Sequence, residues 1–227
     1  MDDDLEQLLA GLKLRRLGEI MPQELAWAEK HAPSYTDFLK RLFRQEYSAQ
    51  QDRYLESRIR RAKLPERWSL HTFPWDRQPG IERRVIEQLA ELGFIARGGN
   101  IVMIGPPGVG KTGLSSAILV KALYCGRRGL FIKAQELFDQ MYTTLADRSS
   151  RELLDRLVGL DLLLIDEMGY LNLRPEQSNI FFKLMEERYA ANRSTIITRG
   201  QRGVSSAQRR RNRGVATCPA GSSRCSA

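Results

Sequence analysis

Cysteine is scarce in this 227-residue chain: Cys125, Cys218 and Cys225 are all there is, with no CxxC pair among them. Three cysteines build no disulfide framework, and two histidines give no His-rich spacing for a metal cluster. Long apolar runs are missing as well. No stretch of about 18 apolar residues occurs, so no membrane-spanning helix and no membrane partner are expected. The opening residues, MDDDLEQLLAGLKLRRLGEI, are acidic before they are basic, which is the wrong order for a secretory signal. A cytoplasmic protein with reduced thiols is the expectation. Acidic residues are missing from the C-terminal tail. Residues 199–227 hold seven arginines and no Asp, Glu or Lys, so they carry most of the formal net charge of +9 and leave +2 on residues 1–198. Total charge is therefore weak support for a nucleic-acid partner, which must rest on local clusters.

What is present divides into segments. Over residues 5–64, Leu5, Leu8, Leu9 and Leu12 form one helical stripe and Phe38, Leu39, Leu42 and Phe43 another, with charges between them. HAPSY (31–35) separates the two, and Ser34 is placed to cap the second helix. A helical module over 1–64 is expected, then a proline-rich linker over 65–80 lying on the next domain. From residue 81, helical runs alternate with short apolar runs. ERRVIEQLAELGFI reads as one helix, NIVMIG, GLFIKA, DLLLIDE and STIIT as strands, and the stretches between as helices. Buried strands separated by helices predict an α/β fold, a parallel sheet covered on both faces. After Thr198 the pattern stops, and the tail 199–227 is expected to be disordered.

Gly105-Pro106-Pro107-Gly108-Val109-Gly110-Lys111-Thr112 matches G-x-x-x-x-G-K-[ST] between a strand and a helix that opens with Gly113. Its glycines let successive N–H groups face phosphate oxygens, and the helix N-terminus adds its positive dipole end. Lys111 is expected to reach the β/γ-phosphates and Thr112 to offer its hydroxyl to Mg2+. About 55 residues on, LLLIDE (162–167) ends a buried strand on an acidic pair. There Asp166 would hold Mg2+ through its water shell, and Glu167 would polarise an attacking water. The expected ligands are therefore ATP and Mg2+, with Glu167 and Lys111 as the catalytic candidates.

With GPPGVGKT, LLLIDEMGYLNLRPEQSNIFFKLMEERY and STIIT in this order, the chain resembles the IstB-like ATPases, helper proteins of insertion-sequence transposition. The resemblance implies an AAA+ P-loop fold close to DnaC helicase loaders and DnaA initiators. It also implies ATP-dependent homo-oligomers on double-stranded DNA in support of a transposase of the same insertion sequence. It places Gly105, Gly108, Gly110, Lys111 and Thr112 at Walker A positions and Asp166 and Glu167 at Walker B. The family continues past STIIT with a polar sensor, usually Thr-Asn, then a helix, arginines and a last strand. Arg199-Gly200 stand in the sensor's place here. An incomplete core over 81–198, with a truncated or frame-disrupted C-terminus, impaired hydrolysis and poor assembly, is the expectation.

A basic cluster ends the helical module: Arg53, Arg58, Arg60, Arg61 and Lys63 lie within about three helical turns. Such a cluster could neutralise DNA phosphates without reading bases, or be a solvated helix face. The aromatics Tyr35, Phe38, Phe43, Tyr47 and Tyr54 are expected to pack rather than to stack on bases. Two rival functions share these features: a DnaC-like helicase loader, and a degenerate fragment that holds nucleotide or DNA without turnover.

Overall fold

The computed structural model describes residues 3–146, 149–169, 174–200 and 215–218. The chain divides into two units, 1–57 and 58–227. The division falls inside a helix, upstream of the boundary expected at residue 64. Its cause is local: the N–H of Phe131 donates to the carbonyl of Ala62 at 2.8 Å, tying the end of that helix to the larger unit. No helix among the described residues is long and apolar enough to cross a membrane.

The smaller unit contains helices α1 (Asp3–Gly11) and α2 (Arg15–His31) and most of α3 (Tyr35–Arg61). Leu9, Leu17, Ile20, Met21 and Leu42 form its core, with Leu5, Leu14 and Phe38 packed against them. Residue 14, where α2 needs an N-terminal cap, is a leucine with no hydrogen-bonding side chain. Glu46 of α3 supplies the missing acceptor, taking the Leu17 N–H at 2.9 Å. Ser34 does cap α3: its Oγ accepts the Asp37 N–H at 3.2 Å. The aromatic expectation fails along this helix. Phe38 packs, but Tyr35, Phe43, Tyr47 and Tyr54 are exposed, as is Leu39. The buried face of α3 is set by Phe38, Leu42 and Glu46, and the i, i+4 ridge Tyr35, Leu39, Phe43, Tyr47 runs along a different one.

In the larger unit β1 (Asn100–Gly105), β2 (Gly129–Lys133), β3 (Leu162–Asp166), β4 (Ser194–Gly200) and β5 (Val215–Cys218) form a sheet in the order β2-β3-β4-β1-β5. Strands β1 to β4 are parallel. The expected single helix over 82–95 is two, α4 (Arg83–Leu89) and α5 (Gly93–Ala96), because Leu92 adopts a left-handed φ of 64° that no helix continues through. Helices α6 (Lys111–Tyr124), α7 (Ala134–Ala146), α8 (Ser150–Val158) and α9 (Pro175–Ala190) follow. Leu163 and Ile165 of β3 pack into a cluster with Leu137, Phe138, Met141, Leu154, Leu157 and Leu184 from three of these helices.

The tail departs from expectation. β5 (Val215–Cys218) pairs antiparallel with β1, with Met103 opposite Val215 and Asn100 opposite Cys218. The tail is therefore not strandless, and the edge of β1 is covered. In sequence, Val-Ala-Thr-Cys is a stretch free of arginine and set between Gly214 and Pro219, so it is the segment best able to extend against an open strand. The rest of the expected disordered tail, 201–214 and 219–227, lies outside the described residues.

Candidate functional site

Ligands in open parallel sheets bind beyond the carboxyl ends of the strands, where β1, β3 and β4 here deliver Gly105, Asp166 and Thr198. The loop from Gly105 to Gly110 joins β1 directly to α6. Gly108 (φ 81°) and Gly110 (φ 87°) take left-handed conformations that side chains rarely adopt, and this turns the loop back over the first turn of α6. Gly110 has a second reason to lack a side chain. A Cβ there would lie 2.7 Å from the ring of Phe73, and one on Gly113 would lie 3.3 Å from Trp68. The segment between α3 and α4 thus lies over the loop, and Gln78 Nε2 donates to the Gly108 carbonyl at 3.2 Å. Phe73 meets Trp75 edge to face, and the Trp75 indole N–H donates to the Leu70 carbonyl.

The predicted loop residues Gly105, Pro106, Pro107, Gly108, Val109, Gly110, Lys111, Thr112 and Gly113 therefore form one continuous cradle, to which β3 brings Asp166. Lys111 Nζ donates to the carbonyls of Gly105 at 2.9 Å and Pro106 at 2.8 Å. Burial pushes the ammonium below its usual pKa range, and the charge of Asp166 only partly restores it. A desolvated cation with carbonyls rather than a carboxylate at hydrogen-bond distance suits an incoming anion. The Thr112 hydroxyl lies 3.0 and 3.1 Å from the two carboxylate oxygens of Asp166. One carboxylate and one hydroxyl are the donors Mg2+ needs from a protein when phosphates and waters complete its octahedron, so the residues present fit the cation.

Glu167 is placed differently. It leaves β3 at a left-handed φ of 62° and is exposed, with Lys133 Nζ at 3.9 Å from its carboxylate. Thr198, missed in the sequence, stands beside the acidic pair: its hydroxyl donates to Asp166 Oδ1 and accepts the Glu167 N–H at 3.0 Å. The available signal was its place as the polar last residue of STIIT, the same pattern that ends LLLID on Asp166. Arg199 lies against Gly169, where a Cβ would meet its Cγ at 3.1 Å. Lys133, Trp68 and Phe73 gave no signal in the sequence, because their relation to the loop is entirely tertiary.

The basic cluster is divided in its contacts. Arg53 is bonded to Glu46 at 2.7 Å, within the smaller unit. Lys63 is paired with Glu136 at 3.5 Å, Arg58 is half-buried, and Arg60 and Arg61 are exposed.

Comparison with known proteins gives a consistent picture. Residues 7–204 match the family described as IstB-like ATP binding protein. The ATP-binding protein of insertion sequence IS21 from Pseudomonas aeruginosa is 36% identical over 200 residues, covering 88% of this chain and 75% of that protein. That of IS5376 from Geobacillus stearothermophilus is 34% identical over 189 residues, covering 83% and 75%. Among solved structures, DnaI superposes with a TM-score of 0.50 at 26% identity, covering 60% of this chain and 73% of DnaI. AMPPCP-bound DnaA from Aquifex aeolicus superposes with a TM-score of 0.54 at 22% identity, covering 64% and 47%, a likeness of fold. The architecture is that of P-loop AAA+ proteins, and over most of its length the chain belongs to the family of IstB-like ATP-binding proteins.

Proposed function

We propose that the protein binds Mg-ATP in the cradle of residues 105–113 and acts on double-stranded DNA as the helper of a transposase encoded by the same insertion sequence. The observation that carries this reading is the half-buried Lys111 ammonium, bonded to two loop carbonyls, beside the Thr112–Asp166 pair. Loop N–H groups and Lys111 hold the phosphates, while Thr112 and Asp166 supply the protein oxygens for the metal. Mg2+, when bound, would neutralise phosphate charge. Glu167 is the base that polarises water. It is exposed and paired with Lys133 rather than directed at Thr112, and Arg199 stands where a Thr-Asn sensor would, so turnover by the protein alone is slow.

Support for the transposition reading comes from the relatives named for insertion sequences, which match a larger share of this chain at higher identity than DnaI does. Contact with DNA draws on the exposed Arg60 and Arg61 at the end of α3. The test is ATPase activity measured with and without duplex DNA, in the wild type and in Glu167→Gln. Slow turnover that Glu167→Gln abolishes while ATP affinity is kept supports the reading. Fluorescence anisotropy of labelled duplex should show affinity that falls steeply with salt and weakens in an Arg60→Glu/Arg61→Glu variant. Salt-independent binding, or none, sinks the DNA half.

A further inference from the structure

We propose that Thr198 is the positioning residue of the metal and water side of this site, setting both Asp166 and Glu167 through one hydroxyl. The proposal rests on reading the loop as a nucleotide site.

Thr198 is 1% exposed and lies near the end of β4, the strand between β3 and β1. The register pairs Ile165 with Ile197 on one side and Met103 with Thr198 on the other. One residue on, this brings Thr198 level with Asp166. A hydroxyl has one proton and lone pairs to accept with. Here the proton goes to Asp166 Oδ1, and the oxygen accepts the Glu167 N–H at 3.0 Å. The main chain of Thr198 adds a third tie, its carbonyl accepting the Met168 N–H at 2.9 Å.

Two consequences follow for the chemistry. Asp166 receives hydroxyl contacts from Thr112 and Thr198, so its carboxylate is fixed from two directions before a cation arrives. Glu167 is a non-glycine residue at φ 62°, a backbone conformation disfavoured by contact of Cβ with its own carbonyl. Its N–H bond to Thr198 and the Met168 bond that follows hold the turn in that conformation. That conformation decides where the Glu167 carboxylate emerges. A buried threonine that only filled space would not spend both hydrogen-bonding functions of its hydroxyl on the two acidic residues of the site.

The experiment is equilibrium titration of a fluorescent ATP analogue, with and without Mg2+, on the full chain. The wild type is compared with Thr198→Val, which keeps shape and removes the hydroxyl, and with Thr198→Ser, which keeps the hydroxyl. The expected result is Mg2+-free affinity within about twofold of wild type for both, with the Mg2+-dependent gain reduced about tenfold in Thr198→Val and restored in Thr198→Ser. Turnover should follow the same order, with kcat reduced in Thr198→Val and restored in Thr198→Ser. In a double-mutant cycle with Asp166→Asn, the losses should overlap instead of adding. Should Thr198→Val fail to melt cooperatively, Thr198→Ala, which leaves room for a water, takes its place in the same titration. A full Mg2+ gain and wild-type turnover in the hydroxyl-free variant would overturn the proposal while leaving the nucleotide site standing. Lys111→Ala separates the two failures: if it binds the analogue as tightly as wild type, the nucleotide reading itself falls, and this proposal with it.

Discussion

In residues 1–57 the two buried carboxylates are saturated. Glu24 is held by Arg41 and by Gln45 at 2.8 Å, and Glu46 by the Leu17 N–H and Arg53. At the strand ends of the larger unit the half-buried cation Lys111 has two loop carbonyls as its hydrogen-bond acceptors among the described residues, and the acidic residue Glu167 is exposed beside a lysine 3.9 Å away. The scaffold carboxylates are thus buried and bonded to cations, an amide or a backbone N–H, whereas Lys111 and Glu167 are half-buried and exposed. What distinguishes them is whether the charge has used up its partners, because an under-partnered charge keeps free energy in reserve for a ligand.

Arg188 sharpens this contrast, since it is a fully buried charge that belongs to the larger unit and yet lies outside the site. Its guanidinium donates to the carbonyls of Leu157, Leu160 and Ser194 and to Thr195 Oγ1, joining the end of α8 to the start of β4. Burial, helped by Arg193, pushes its pKa down to about 10, so it remains charged at neutral pH. Arg188→Met strands four acceptors, and a loss of about 3 kcal/mol or more in unfolding free energy is expected by thermal or urea denaturation. ATP affinity at a temperature where the variant is folded should be unchanged. A loss of affinity without a loss of stability would erase the distinction.

The mirror-image case is Lys111→Ala. Removing a charge-assisted phosphate contact costs roughly 1.5–3 kcal/mol, about a ten- to hundredfold loss of affinity, readable by titration with a fluorescent ATP analogue. Stability should hold or rise slightly, because the folded protein no longer desolvates an ammonium. Equal affinity in wild type and variant would remove the loop from consideration.

The larger unit was legible in sequence because its chemistry is local. Gly105 to Thr112 is a single turn whose backbone demands glycine, and LLLID is a buried strand by composition alone. The smaller unit was legible only as helices. Which face of α3 is buried depends on α1 and α2, and Glu46, a charge by sequence, turned out to be the cap of another helix. The exposed ridge of Tyr35, Leu39, Phe43 and Tyr47 was misread because apolar residues at helical spacing signal a buried face only if a partner element covers them. Thr198 and β5 were missed for a related reason: each acquires its role from a neighbouring strand that local sequence does not name.

Acid should break the smaller unit through the same saturated carboxylates. Arg41 holds the Glu24 carboxyl below its ordinary value of 4.5. Burial pushes Glu46 up, but the Leu17 N–H, Arg53 and Gln50 outweigh it and the net shift is downward. A folded-state pKa below the unfolded one gives stability that is complete above the unfolded value and lost as pH falls through the folded one. Far-ultraviolet circular dichroism and Trp27 fluorescence should therefore report loosening of α2 against α3 below about pH 4.5. Glu46→Gln removes the charge on the α2 cap, and a cost of about 1.5 kcal/mol with a flatter acid response is expected. Unchanged acid sensitivity in that variant would place the acid response elsewhere.

The smallest effect expected is at Lys133, and it bears on why the acidic residue of the site is exposed at all. Lys133 ends β2, in register with Asp166, and its ammonium lies 3.9 Å from the Glu167 carboxylate. Both side chains are more than half exposed, so in high dielectric the pair contributes about 1 kcal/mol at most. That is enough to bias an exposed carboxylate toward β2 but not to fix it there. Lys133→Met should raise basal turnover by no more than about fivefold and leave ATP affinity unchanged, and raising the salt concentration on the wild type should produce part of the same gain by screening the pair. Steady-state ATPase measurements over a salt series read both. Slower turnover in Lys133→Met would give the lysine the opposite role, that of a cation assisting phosphate rather than restraining Glu167, and would extend the under-partnered region of the site to β2.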